Sequence, residues 1–461
     1  VVERPAGQLE ERQSNLRALN GLKAKLTSYL FTKENKHSLV YFFSAVFGAI
    51  LGFLTLPYFA NALSKDDIAI YGFAAALNTF FIPVFFLSFE TYFIKRFYET
   101  EGEDGVKKLV STTVLFVFGW SALIILLMTF LGPLLFHYAQ IEIPFSPYVT
   151  TICLGNIFFS FFSYHLLMLR IRQQVWKYFF LSLLQNVLIT GLSIALVYFV
   201  YTNAFGRILG MSAATLIIGV ISLVLLRRQL SFKYIDTRII REGVRFSVPL
   251  VMYVLINMIF DITDRFVIEK YYDLSSLANY NIAFQYASIS ILVSISLFKS
   301  YETELFNLLA AKKVKEVVKK MKALNLINFG ICSIMMLCAD FLITFLTNDS
   351  YAGAEIIAKL LLLAFFLRSV YLNCNTILSA HNKNNLLMVL SFFGLLFSLT
   401  VFYFIGSSLG VESIIWVKII VYGMLVIGTT VSMILKKREF ANYLYNSVIY
   451  SLILILLIFI S

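Results

Sequence analysis

Acidic residues are scarce in this chain, cysteines and histidines scarcer, and no polar stretch is long enough to fold into a domain of its own. Among 461 residues there are 26 Asp and Glu, four Cys and four His. Cys153, Cys332, Cys338 and Cys374 all fall inside apolar runs without disulfide or metal-ligand spacing, and there a thiol packs as a small hydrophobe. No GxxxxGK[ST], HExxH or CxxC occurs, so cargo movement has to draw on an ion gradient or on the cargo's own gradient. The connections between apolar runs are short, which excludes an extramembrane polymerase or glycosyltransferase site. His165 has no carboxylate near it in sequence and reads as a packing residue rather than a proton relay. No enzyme activity and no cofactor are expected. A cleavable signal is not evident either, since a polar, basic N-terminal segment runs straight into the first apolar run.

What the chain has in abundance is apolar length. It is 59% hydrophobic, with a mean hydropathy of +0.82, too little polar surface for a soluble fold. A bilayer core about 30 Å thick needs roughly 20 apolar residues in a helix. Such runs lie near 39–63, 68–94, 109–136, 148–169, 178–201, 205–226, 243–271, 278–309, 323–347, 355–380, 386–409 and 412–435. A thirteenth, Ser447–Ile460, is short for a span. The connections alternate between cation-poor and cation-rich. The rich ones carry Lys95, Arg96, Lys107 and Lys108; Arg170, Arg172 and Lys177; a block from Arg227 to Arg245; six lysines in 312–322; Lys383; and Lys436, Lys437 and Arg438. The positive-inside rule puts these loops and the N-terminus in the cytoplasm. The net charge of +12 then reports orientation and anionic inner-leaflet lipids, and no nucleic acid partner. Residues 15–31 place leucines at helical spacing beside Lys23 and Lys25, the pattern of a helix on the inner membrane surface.

The two halves repeat. Leu63-Ser64 and Leu274-Ser275 open matching outer loops, with Tyr71 and Tyr280 following early in the next run. Phe89-Glu90-Thr91-Tyr92 then matches Phe298-Lys299-Ser300-Tyr301 at the same offset, and lysine pairs close both segments. Six runs per half give both halves one orientation, hence a pseudo-two-fold axis along the membrane normal. The expected fold is an all-α polytopic membrane protein of about 12 transmembrane helices in two six-helix lobes, with a further C-terminal helix if the thirteenth run forms one. Its parts are a cytoplasmic segment (1–37), an N-lobe (38–226), a cytoplasmic linker (227–242), a C-lobe (243–435) and a basic segment with the last hydrophobic stretch (436–461).

Phe53–Glu90, Phe246–Phe284 (with Pro249, Asp264-Arg265-Phe266, Leu274-Ser275 and Tyr280-Asn281) and the loop with Arg170, Gln173 and Tyr178 resemble the oligosaccharide and O-antigen flippases. These belong to the multidrug/oligosaccharidyl-lipid/polysaccharide exporter superfamily. The resemblance implies alternating access in a bacterial inner membrane. The implied cargo is an undecaprenyl-pyrophosphate-linked oligosaccharide, carried from the cytoplasmic to the periplasmic leaflet for O-antigen or other surface polysaccharide. It also implies a polysaccharide polymerase and a chain-length regulator as partners. The alternative is a proton- or sodium-coupled multidrug exporter of the same superfamily.

Charge inside a span costs at least about 2.5–3.5 kcal/mol and points to function. Arg368 sits near the middle of its run and suits a pyrophosphate; with Arg265, Tyr71 and Tyr280 it forms the candidate substrate-binding set. Asp261 and Arg265, four apart on one helix face, either neutralise each other or serve coupling. Asp264, about 100° round the helix, is free to meet a cation or a coupling ion, H+ or Na+. Lys359 and Lys418 read as snorkelling anchors. Glu90 and Lys299 occupy equivalent positions and form a candidate gate, with local pairing of Glu90 to Lys95 or Arg96 as the alternative. Pro57, Pro83 and Pro249 are candidate hinges.

Overall fold

The computed structural model describes residues 40–460 except 41–42, 45–46, 49, 348–350, 352, 381–382, 406–409 and 436. The expected surface helix at 15–31 lies outside the described residues, as do residues 39, 41–42, 45–46 and 49 of the first run. The helices are α1 Leu56–Ala62, α2 Lys65–Phe86, α3 Phe89–Glu99, α4 Glu103–Ala139, α5 Thr150–Gly155, α6 Phe159–Ile171, α7 Val175–Phe199 and α8 Ala204–Leu226 in the first half. The second half has α9 Thr237–Tyr271, α10 Leu274–Ala310, α11 Val314–Thr347, α12 Ala354–Ala380, α13 Asn384–Ile405, α14 Val411–Ile434 and α15 Ala441–Ile460. Among the described residues there is no strand, as lipid requires of a chain that must satisfy its backbone within each segment.

Among the described residues, eleven helices are long and apolar enough to cross a membrane. The stretch that looked short for a span is one of them, because its helix reaches back to residue 438. Polar side chains hold α15 in place. Asn325 on α11 accepts from Tyr443 Oη at 3.2 Å and donates to Ser447 Oγ at 3.0 Å. Its carbonyl also accepts from Asn373 of α12 at 3.1 Å. Next to it, Asn328 joins Ser294 of α10 (2.9 Å) to Ser369 of α12 (2.6 Å). Helix α12 is enclosed, with Leu360–Phe366 almost wholly buried.

Local chemistry sets the helix ends. Ser64 and Asp67 form a reciprocal capping box that starts α2, and the Asn203 side chain accepts from Gly206 N–H to start α8. The apolar run 68–94 is not one helix: Leu87 and Ser88 both adopt left-handed φ values, 52° and 47°, and separate α2 from α3. Glu90 therefore belongs to a separate short helix. The break lies one turn beyond Pro83, which is inside α2. Pro57 stands in the first turn of α1, just after the interruption at Thr55, where its missing N–H costs nothing. Pro249 lies inside α9.

The linker between the halves is docked. Ser111 and Thr112 of α4 donate to the carbonyls of Gln229 (2.8 Å) and Tyr234 (2.9 Å). Asp236 caps α9 and pairs with Lys108 at 2.6 Å; these contacts hold its carboxyl below the usual aspartate range. Further along, α2 packs against α9 and α10. Gly72 makes room there, because a Cβ would come within 2.1 Å of the Asn281 amide nitrogen. That amide donates to Ala69 O at 3.3 Å, and Gln285 reaches Gly52 O at 2.7 Å. Gly72→Ala forces Asn281 aside, so we expect a loss of about 1–3 kcal/mol, typical of overpacking, read as a lower thermal midpoint in detergent. Gly119→Ala, with nothing within 4 Å of the added methyl, should leave the midpoint unchanged or raised.

Candidate functional site

Three charged residues within little more than one turn of α9 organise the second half. Asp261, Asp264 and Arg265 are spaced i, i+3, i+4, close enough to interact on the helix surface, yet each finds its partner on a different helix. Asp261 accepts from Arg368 of α12 at 2.7 Å and from Tyr422 Oη of α14 at 3.0 Å. Asp264 receives Lys418 Nζ of α14 at 2.5 Å and Tyr280 Oη of α10 at 2.7 Å. Arg265 donates from Nε to Asn281 Oδ1 at 3.1 Å and lies 4.1 Å from the Phe284 ring centroid and 5.2 Å from that of Tyr280.

Two expectations change. Asp261 and Arg265 do not neutralise each other, because the interior offers Asp261 a charge-assisted contact to Arg368 across the helix interface. Nor is Lys418 a boundary anchor: its side chain is 1% exposed and its ammonium also lies 3.4 Å from the Asp261 carbonyl oxygen. Desolvating an ammonium costs several kcal/mol and is offset only by such close pairing. Lys359 is likewise buried and bound to Asp340 at 2.8 Å, a carboxylate that remains 44% exposed.

The two ion pairs on α9 differ in access. Lys418 and Asp264 are 1% and 2% exposed, a dry pair, whereas Arg368 and Asp261 keep 26% and 27% of their side-chain surface accessible. One turn beyond Arg265 the buried carboxylate of Glu269 accepts from the backbone N–H groups of Glu142 and Ile143. Within the cluster of Asp261, Asp264, Arg265, Arg368 and Lys418, three cations meet two carboxylates, which leaves one cation without a carboxylate. That cation is Arg265, which has an amide and two rings as neighbours.

In the first half, Tyr71 does not face Tyr280. It stacks on the buried guanidinium of Arg207, with centroid distances of 3.7 Å to Tyr71 and 3.8 Å to Phe59. In sequence Arg207 counts as a connection charge; in the fold it sits in the first turn of α8, 6% exposed. The repeated tyrosines thus each stand beside a buried arginine. Glu90 takes a short hydrogen bond from Ser163 of α6, while Arg96 pairs with Glu99 at 3.1 Å and not with Glu90. Lys299 is in α10, but its side chain lies outside the described residues. The site roles of Lys418, Tyr422, Asn281 and Arg207 escaped the sequence reading, which took Lys418 for an anchor and Arg207 for a connection charge, cited Asn281 only for the resemblance and did not single out Tyr422. For the first two a signal existed: a lysine and a tyrosine four apart in a 24-residue apolar helix share one face.

The model for the polysaccharide biosynthesis protein family matches residues 35–300, more than half of the chain. A second, described as MatE, matches 249–404. No curated protein sequence is significantly similar. Among solved structures, the lipid II flippase MurJ in an inward closed conformation superposes with a TM-score of 0.65 at 17% identity, covering 92% of this chain and 96% of that one. An inward-facing multidrug resistance MATE family transporter of the MOP superfamily gives 0.60 at 15% identity, covering 86% and 98%. The Vibrio cholerae MATE transporter VcmN gives 0.53 at 14% identity, covering 90% and 99%.

Proposed function

This chain belongs to the polysaccharide biosynthesis protein family and has the fold of MOP-superfamily transporters, and from that premise we propose that it is a flippase for an undecaprenyl-pyrophosphate-linked oligosaccharide. It carries the cargo from the cytoplasmic to the periplasmic leaflet of a bacterial inner membrane by alternating access, for O-antigen or another surface polysaccharide. The basic loops and the N-terminus face the cytoplasm, and a polymerase and chain-length regulator take up the product.

The observation that carries this reading is the partly accessible guanidinium of Arg368 deep in its span, held by a single carboxylate. A pyrophosphate offers Arg368 more negative charge than Asp261 does and binds it bidentately. Cargo entry then exchanges one anion for another and releases Asp261 to Tyr422 alone. Such an exchange costs less than stripping an unpaired guanidinium of water. Arg265, Tyr280 and Tyr71 support the path. Glu90 and Lys299 serve as the gate, with Ser163 holding Glu90 in one of its positions. Thr55–Pro57, Pro83 with the break after it, and Pro249 supply the bends.

A second reading, a proton- or sodium-coupled exporter of cationic drugs, is favoured by the MatE match, which spans Asp261, Asp264 and Arg368. In that case a cation takes the place of Arg368 on Asp261.

The test is translocation of a fluorescent undecaprenyl-pyrophosphate oligosaccharide across proteoliposomes containing the purified protein. Flipping of this lipid without efflux of a cationic dye is the expected result. Ion-driven dye efflux with no lipid flipping would replace the first reading by the second.

A further inference from the structure

A separate feature lies in the first half, away from the α9 charges. Helices α6, α7 and α8 enclose a cavity of about 650 Å³, within the roughly 300–1,000 Å³ range of ligand pockets. One end is cationic: Arg172 and Lys177 line it, and Arg172 is steadied by Gln229 at 3.3 Å. The other end is apolar, formed by Phe180 and Leu184 of α7 and Leu225 of α8. These three are exposed at the surface of the bundle, 61%, 39% and 56%, so the cavity opens sideways where lipid chains run. Between the two ends stands His165, whose Nδ1 is buried without a hydrogen-bond partner among the described residues. Buried polar atoms of native proteins nearly always have one. No carboxylate lines the cavity.

We infer that this cavity is a binding site for one anionic phospholipid. Its phosphodiester sits between Arg172 and Lys177, within reach of the His165 imidazole, and an acyl chain runs along Phe180, Leu184 and Leu225. Two cations at one end and a lipid-facing apolar slot at the other fit an amphiphile and exclude both a free anion and a neutral oil. Because Gln173, between the two helices, holds a left-handed φ of 55°, the bound headgroup fastens the turn joining α6 to α7 and, through Gln229, the start of the inter-half linker. The site stands independently of the cargo proposed above, since it lies within one half and shares no residue with the α9 cluster.

Binding to the delipidated full chain in detergent tests the inference, with phosphatidylglycerol, phosphatidylcholine and inorganic phosphate as probes. Expected are phosphatidylglycerol affinity at least about 10-fold above that for phosphatidylcholine and no measurable binding of phosphate. The Arg172→Gln/Lys177→Gln variant should lose at least about 10-fold. Leu184→Trp, which fills the slot with every charge in place, should lose a similar factor. Arg227→Gln/Arg228→Gln removes two nearby exposed cations that do not line the cavity and should lose less than about 2-fold, whereas diffuse attraction to a basic surface would make both charge variants lose alike. Equal losses in the two charge variants would overturn the site, as would equal affinity for both lipids or retention of affinity in Leu184→Trp. Should a variant fail to fold, a photoactivatable phosphatidylglycerol applied to the unaltered protein decides. Label concentrated in 165–184 and 221–229 supports the site, and label spread evenly over the lipid-facing helices overturns it.

Discussion

Arg368→Ala is expected to reduce lipid-linked oligosaccharide flipping by a factor of about 30 to 4,000. The estimate takes about 2–5 kcal/mol for truncating one member of a buried, hydrogen-bonded charge pair, at about 1.4 kcal/mol per tenfold. Arg368→Lys should retain part of the activity, since the charge stays while the bidentate geometry is lost. The alanine variant alone is ambiguous, because it leaves Asp261 with Tyr422 as its remaining side-chain partner. Arg368→Ala/Asp261→Asn removes that stranded charge and separates structure from transport. If Arg368 binds the cargo, the double variant recovers thermal stability and stays inactive. Recovery of flipping along with stability would reduce Arg368 to a counter-ion for Asp261. Initial rates in proteoliposomes, normalised to reconstituted protein, give the comparison.

Lys418→Met should be among the most destabilising single changes in the chain, at about 3–5 kcal/mol. It leaves the carboxylate of Asp264 buried with one tyrosine hydroxyl where an ammonium stood. Desolvation makes an uncompensated buried charge cost this much, whereas replacing both partners by apolar groups of similar volume is often neutral or stabilising. Lys418→Met/Asp264→Leu should therefore recover most of the loss, less the hydrogen bond that Tyr280 forfeits. Thermal unfolding in detergent reads both. A double variant no more stable than Lys418→Met would mean that the pair is not the dry, self-compensating unit its geometry describes. Flipping by the double variant asks a further question: activity would assign the dry pair to architecture and leave Arg368 and Asp261 as the working pair.

These expectations show where one-dimensional reading holds and where it stops. The runs 109–136, 178–201, 205–226 and 412–435 coincide with α4, α7, α8 and α14 to within a few residues, because so long an apolar stretch has one economical conformation in lipid. Arg368 was legible for the same reason, as a charge far from either end of its run. Its partner was not. Helical spacing pairs Asp261 with Arg265, but hydropathy carries no information on which faces meet across an interface, and there Arg368 and Tyr422 compete better. Lys418 lies seven residues into α14 and looked close enough to the boundary to snorkel; only the position of Asp264 opposite shows that it turns inward. The break at Leu87-Ser88 has no sequence signature, since neither residue is the glycine that left-handed backbone favours. Arg207 looked like a loop charge because the helix that buries it begins three residues earlier.

The amide cluster at Asn325 also carries information about time. Asn325 and Asn373 leave the ribosome well before Tyr443 and Ser447, the side chains that complete their hydrogen bonds. During that interval the Asn325 amide lacks its partners on α15. In hydrocarbon such groups stay exposed at a cost. Docking of α15 supplies the missing partners. The arrival of α15 is thus the step that completes the hydrogen bonds of the Asn325 cluster within the bundle.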